Sequence, residues 1–305
     1  MNNKHAYLII TYDDFACLEL LLKQIDDERN DIFLHIDRKT KEKCNVDEWV
    51  KKSSVYFVNR FSVSWGGWSL IRAEIELLKA STQRDHYEYY HLISGRDILL
   101  KSQDAIHEFF ARNGGKQFID CRLENIEPYL QRIQYYYLFQ DFFDGKKRMN
   151  RMGNRVAVKL QKMCRVNRLK HSQFREYGFG SEWFSITDEL ARYVIGQEKT
   201  VRRCLRYGVC ADEFFVQTVW LNSPFYDQSV EFKYDGDVSS SLEPHTVNAM
   251  RAVDFSRGKD GSPYVFDETD FDMLMQSDCI FARKVDSVRS NVLIQSILAQ
   301  TAKFS

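Results

Sequence analysis

Residues 5–37, HAYLIITYDDFACLELLLKQIDDERNDIFLHID, carry the pattern that decides the fold. Tyr7–Thr11 is a short apolar run, and Phe15–Asp26 sets Leu18, Leu21, Leu22 and Ile25 at helical spacing. Ile32–Ile36 is a second apolar run that ends at His35 and Asp37. Strand, helix and strand in that order predict a βαβ unit. Working outward, Val55–Asn59 reads as a third strand, followed by the turn-like SWGGW at Ser64–Trp68 and an amphipathic helix over Ser69–Ser81. Tyr89–Ile93 continues as a strand and Ser102–Arg112 as a helix. The alternation predicts an α/β fold whose mostly parallel central sheet is covered by helices on both faces. Ligands of such sheets sit beyond the carboxyl ends of the strands, which would gather Thr11, Tyr12, His35, Asp37, Ser94 and Asp97.

The middle of the chain departs from this pattern. Lys146–Arg175 holds eleven Lys or Arg and no Asp or Glu, with Met149, Met152, Val156, Leu160 and Met163 recurring every three or four residues. Such a basic amphipathic segment either packs its apolar stripe on the body of the protein or lies on an anionic membrane surface. The sheet pattern resumes at Trp183–Ile186, with helices over Asp188–Ile195 and around Glu213–Leu221. Beyond Ser223 the chain is irregular until a terminal helix after Ser287. One unit over 1–305 is expected, with a first half of about 1–120, a basic helical insertion of about 121–180 and a second half of about 181–305.

Composition narrows the class. Forty-three basic and 43 acidic residues give zero net charge, so nucleic acid is not an expected partner. Apolar residues at 44% and charged ones at 28% are ordinary globular usage. The seven cysteines are scattered, without a CxxC pair, which suits free thiols in a reducing compartment. The run Ala6–Ile10 is too short for a signal peptide or a membrane span, so a cytoplasmic protein is expected, with membrane contact at most peripheral.

Several residues carry possible chemistry. Asp37 at a strand end suits hydrogen bonding to a uracil or ribose, and equally suits capping of its own loop. In SWGGW, Trp65 and Trp68 flank glycines that permit close backbone approach, an arrangement suited to sugar stacking or to plain core packing. Asp212 and Glu213 before FFVQTVWLNS are the strongest local signal for a site, with capping of a helix start as the plain alternative. Asp235 with Asp237, and Asp270 with Asp272, match a DxD metal pattern, though YDGD is strong turn chemistry. Arg251 and Lys284 are cations pinned by apolar neighbours, able to neutralise a diphosphate.

Taken together and in order, HAYLIITYDD, FLHIDRKT, SVSWGGWSLIRAEIELLKAS, YYHLISGRDILLKS, GSEWFSITDEL, ADEFFVQTVWLNS, MRAVDFSRGKDGSP and IFARKVD resemble the core-2/I-branching β-1,6-N-acetylglucosaminyltransferases and peptide O-xylosyltransferases. The resemblance runs from Ala6 to about Asp286. It implies a GT-A-like, Rossmann-related fold and inverting transfer from a UDP-sugar without metal or other cofactor. On the matching positions Glu213 is the catalytic base, and Arg251 and Lys284 bind the donor diphosphate. Thr11, His35 and Asp37 fall on the nucleotide side, while Glu182 and Trp183, with Trp65, Asp97 and Asp212, fall on the acceptor or sugar side. The DxD matches would then be structural. The first half would bind nucleotide and the second would hold the acceptor and the base. Unlike animal members, the chain shows no membrane anchor, stem or disulfide framework, and its basic segment has no counterpart. These departures favour a bacterial-type cytoplasmic enzyme of surface polysaccharide or glycolipid assembly, and the main expectation is transfer of N-acetylglucosamine in β linkage (β-1,6-like) to a saccharide or lipid-linked saccharide. Xylose transfer from UDP-xylose and a non-catalytic saccharide-binding module are the rivals.

Overall fold

The first two strands, β1 (His5–Thr11) and β2 (Asn30–Ile36), are buried along their whole length in the computed structural model. It describes residues 4–42, 44–141, 148–227, 231–259 and 261–302. Alternation sends Ala6, Leu8 and Ile10 into one apolar cluster and Tyr7 and Ile9 into another, so the sheet separates two cores. The intervening helix, Phe15–Ile25, starts at Asp14, whose side chain accepts a bond from the Cys17 N–H at 3.2 Å.

The large sheet adds β3 (Ser54–Phe57), β4 (Tyr89–Ser94), β6 (Phe118–Ile119) and β7 (Phe184–Thr187), in the order β3-β2-β1-β4-β7-β6. The first four strands in this order are parallel, β7 runs antiparallel to β4, and β6 runs antiparallel to β7. A second sheet of β5 (Asp97–Leu99), β9 (Phe281–Arg283) and β8 (Arg251–Val253) was not legible in the sequence. It joins residues nearly two hundred positions apart, as in Asp97 opposite Arg283. The two sheets interleave the halves of the chain: β7 lies inside the large sheet and β5 edges the small one.

The helix expected over Ser69–Ser81 spans Trp68–Arg84. Its amino end is capped from afar, because the Asp141 carboxylate accepts the Trp68 and Ser69 N–H groups at 3.2 Å each and the Ser69 hydroxyl at 2.9 Å. A Cβ on Gly67 would lie 2.3 Å from that carboxylate, which explains the second glycine of SWGGW. Gly66, with φ at +63°, makes the turn. The basic segment forms a helix over Arg148–Met163 and a short 3-10 turn over Arg168–His171. Lys146 and Lys147 lie outside the described residues. Among the described residues no helix is long and apolar enough to cross a membrane.

Candidate active site

Parallel pairing aligns Ile10 with both His35 and Ser94, so the carboxyl ends of β1, β2 and β4 bring Thr11, His35, Asp37 and Ser94 to one edge. Gly95 lets the chain close on that edge. A Cβ there would sit 2.4 Å from the Thr11 hydroxyl oxygen. That oxygen and both ring nitrogens of His35 are buried without hydrogen-bond partners among the described residues. Burial pushes His35 down to about 4, so the ring is neutral at pH 7 and offers one donor and one acceptor. Asp37 is more committed. One oxygen accepts the Lys39 N–H at 2.7 Å and the other the Val63 N–H at 3.2 Å, so the carboxylate organises its own loop.

Glu213 sits on a 3-10 turn, Ala211–Phe214, that follows Cys210 in left-handed backbone. The Cys210 N–H donates to the Gly66 carbonyl at 2.8 Å, and the Gly180 N–H donates to the Glu213 carbonyl at 2.9 Å. SWGGW and GSEWF are thereby tied to the turn. The Glu213 carboxylate, one third exposed, accepts from Arg132 at 2.5 Å. Arg132 comes from the helix Glu127–Gln134 and lies over the rings of Tyr129 and Phe179. Burial and the neighbouring Asp212 push Glu213 up to about 7, against the pull of Arg132.

Beneath Glu213 lies a group of carboxyls that the sequence reading only half found. Burial and Glu182 push the buried Asp212 far above the usual carboxylate range. Glu182 is raised by burial and by Glu213 and Asp97, and lowered by its hydrogen bond to Asp212 and by Arg283. Glu74, which the sequence reading missed, is 1% exposed, and neither of its carboxyl oxygens has a hydrogen-bond partner among the described residues. Burial, Glu182 and Asp212 push it far up as well. Carboxyls so placed cannot all ionise together, and Glu213, one third exposed, can exchange its proton with solvent. Glu74 left a trace in the sequence: it stands among Ile71, Ile75 and Leu78 on the buried face of its helix, where a carboxylate is anomalous. Arg132 left none, since its partner is 81 residues away.

The cations differ in burial. Arg251 is 1% exposed, and its guanidinium donates to the carbonyls of Phe184 at 2.5 Å, Leu92 at 3.2 Å and Ala249, and to the Ser185 hydroxyl. It fastens the small sheet to β4 and β7. The residue on the site side is Arg283, another omission. Its guanidinium lies 4.0 Å from the ring centre of Trp183 and 3.1 Å from Asp97. Asp97 also accepts from the Ser94 N–H and hydroxyl, so its carboxylate acts as a support for Arg283. Lys284 is next in the chain, half-buried, its backbone held by Tyr264 and Phe266. Trp183 is buried, whereas Trp65 is 51% exposed, its carbonyl accepting from Gln140 at 3.0 Å. Of the DxD pairs, Asp270 is bound to Arg257 at 2.7 Å and caps a turn, and Asp235 and Asp237 are exposed.

The arrangement is a partly exposed carboxyl raised to about 7, a neutral histidine, an exposed indole, and two consecutive cations at the end of β9. Comparison with known proteins gives the family. The model of the Core-2/I-branching enzyme family matches residues 5–266. The curated xylosyltransferase sqv-6 of Caenorhabditis elegans is 24% identical over 248 residues, which cover 75% of this chain and 27% of that protein. The chain thus spans about a quarter of the length of this relative.

Proposed function

The chain belongs to the Core-2/I-branching glycosyltransferase family, and from that premise we propose that it moves N-acetylglucosamine from UDP, with inversion and without metal, to a hydroxyl of a saccharide acceptor. The observation that carries this reading is Glu213. A carboxyl held at about 7 and partly open to solvent is matched to general-base work at neutral pH. The acceptor oxygen attacks the anomeric carbon and passes its proton to Glu213. The bond from that carbon to the diphosphate oxygen breaks on the opposite face, and its electron pair leaves with UDP. Lys284 and Arg283 oppose the charge that grows on the diphosphate. Arg251 acts from below, through β8 and its pairing with β9. The unpartnered hydroxyl of Thr11 and ring of His35 supply polar contacts to the nucleotide, and Trp65 supplies a flat face for a sugar.

Xylose is the second reading of the donor, favoured by the relative whose name is xylosyltransferase. UDP release measured with UDP-N-acetylglucosamine and UDP-xylose, with and without acceptor, separates the two donors and also a module that binds without turnover. Glu213→Gln should lower kcat about 100- to 10,000-fold while UDP affinity stays near normal. A Glu213→Gln protein of full activity removes the base from the scheme.

A further inference from the structure

The helix Arg148–Met163 carries its apolar stripe on the outside. Met152, Val156, Leu160 and Met163 are 64%, 56%, 57% and 73% exposed. They fall within one narrow arc of a 3.6-residue helix, and the exposed Arg155 and Lys159 flank that arc. The helix holds the body through its opposite side instead. Asn154 is buried, accepting from the Phe139 N–H at 3.3 Å and donating to Gln140 at 3.3 Å, and Gln161 bonds both backbone groups of Tyr136. Leu138 and Phe139, on the adjoining segment, are 46% and 40% exposed and add to the outward apolar surface. Four large apolar side chains in one exposed row are not what a solvated helix presents.

We infer that this helix is an interfacial anchor that lies flat on an anionic lipid bilayer, with Met152, Val156, Leu160 and Met163 in the acyl boundary and Arg155 and Lys159 against the headgroups. Charge selects this occupant. Over 146–175 the segment has eleven cations and no acid in a chain of zero net charge, which suits a diffuse anionic surface better than a discrete protein groove of mixed charge. The placement bears on the site. Asn154 bonds Gln140, Gln140 bonds the Trp65 carbonyl, and the next residue, Gly66, accepts from Cys210 two positions before Asp212. A bilayer under the helix therefore lies beside the rim that Trp65 and Glu213 share, where an acceptor with a lipid tail would arrive. This last step rests on the transferase reading; the anchor itself does not.

The test is co-sedimentation of the whole chain with vesicles of phosphatidylcholine alone or mixed with phosphatidylglycerol, alongside UDP release with a water-soluble saccharide acceptor. Binding is expected only with the anionic vesicles. It should weaken as salt rises from about 0.1 to about 1 M, because the screening length falls from about 10 to about 3 Å. Arg155→Gln with Lys159→Gln should lower the partition coefficient about 30-fold, at roughly fivefold per cation. Val156→Gln with Leu160→Gln should lower it at least about tenfold. Both pairs change exposed side chains, so UDP release with the soluble acceptor should be unchanged. Equal binding to neutral vesicles, or variants that bind like the parent, overturns the anchor. So does a dimer abolished by Val156→Gln with Leu160→Gln in a chain that ignores vesicles, since the stripe is then a contact between copies. Vesicle binding without UDP release under any donor refutes the transferase reading and leaves the anchor standing.

Discussion

Replacing Arg132 by Gln removes the positive charge 2.5 Å from the Glu213 carboxylate while keeping a hydrogen-bonding side chain. Arg132 favours the ionised form of Glu213, whereas burial and Asp212 favour the neutral form. Without the cation Glu213 must therefore titrate higher. An opposite charge in contact lowers a carboxyl by about one to three units, and partial exposure of both side chains puts this pair near the low end, about one unit. Glu213 starts at about 7, so at pH 7 about half of it is ionised in the parent. A one-unit rise leaves roughly a tenth, a loss of about fivefold in kcat/KM. Near pH 9 both proteins should have an ionised base, and the rates should converge. The assay is initial-rate UDP release across about pH 6 to about pH 9 under saturating donor. In the parent the rate should climb through about 7 and level off above it. A uniform depression of Arg132→Gln at every pH would show that Arg132 positions substrate and does not tune Glu213. A parent profile flat from about pH 6 upward would refute the base assignment.

Three further outcomes follow from the geometry. Arg251→Met should cost at least about 3 kcal/mol of stability, because it strips buried carbonyls of a charged donor; Lys284→Ala should weaken UDP binding about tenfold or more. An Arg251→Met protein of normal Tm that fails to bind UDP would return that guanidinium to the donor. Glu74→Gln should raise Tm at neutral pH, with the gain vanishing near about pH 4. Folded Glu74 holds its proton far above the usual carboxylate range, so stability falls once pH exceeds the value at which the unfolded chain ionises, and Gln abolishes that fall. Thermal unfolding at both pH values checks it, and an unchanged Tm at neutral pH would mean that the Glu74 carboxyl is solvated or paired. Turnover should persist in excess EDTA; if chelation abolishes it and manganese restores it, the charge on the diphosphate is not handled by Lys284 and Arg283.

The sequence by itself determined what depends on local periodicity. The run His5–Asp37 alternates and then repeats at helical spacing, and β1, the helix Phe15–Ile25 and β2 form where that pattern puts them. Side-chain type along a strand or helix is enough to choose its period, its buried face and the end of the sheet at which His35 and Asp37 emerge. Glu213 was likewise legible as a candidate, because its segment and the segments around it occur in a family order. Tertiary structure decided everything that rests on pairs distant in the chain. The small sheet exists because Asp97–Leu99 meets Phe281–Arg283, and no window of sequence contains both. That meeting turned Arg251 inward and left Arg283 beside Trp183, a difference in burial between cations of equal chemistry. Packing also brought Glu74, Glu182 and Asp212 together, and burial with Asp212 alongside carries Glu213 toward neutrality. The periodicity of Arg148–Met163 announced a stripe, but only its seat on Asn154 and Gln161 determined that the stripe faces outward. A helix has two sides, and which one meets the body is set by partners the local sequence does not contain.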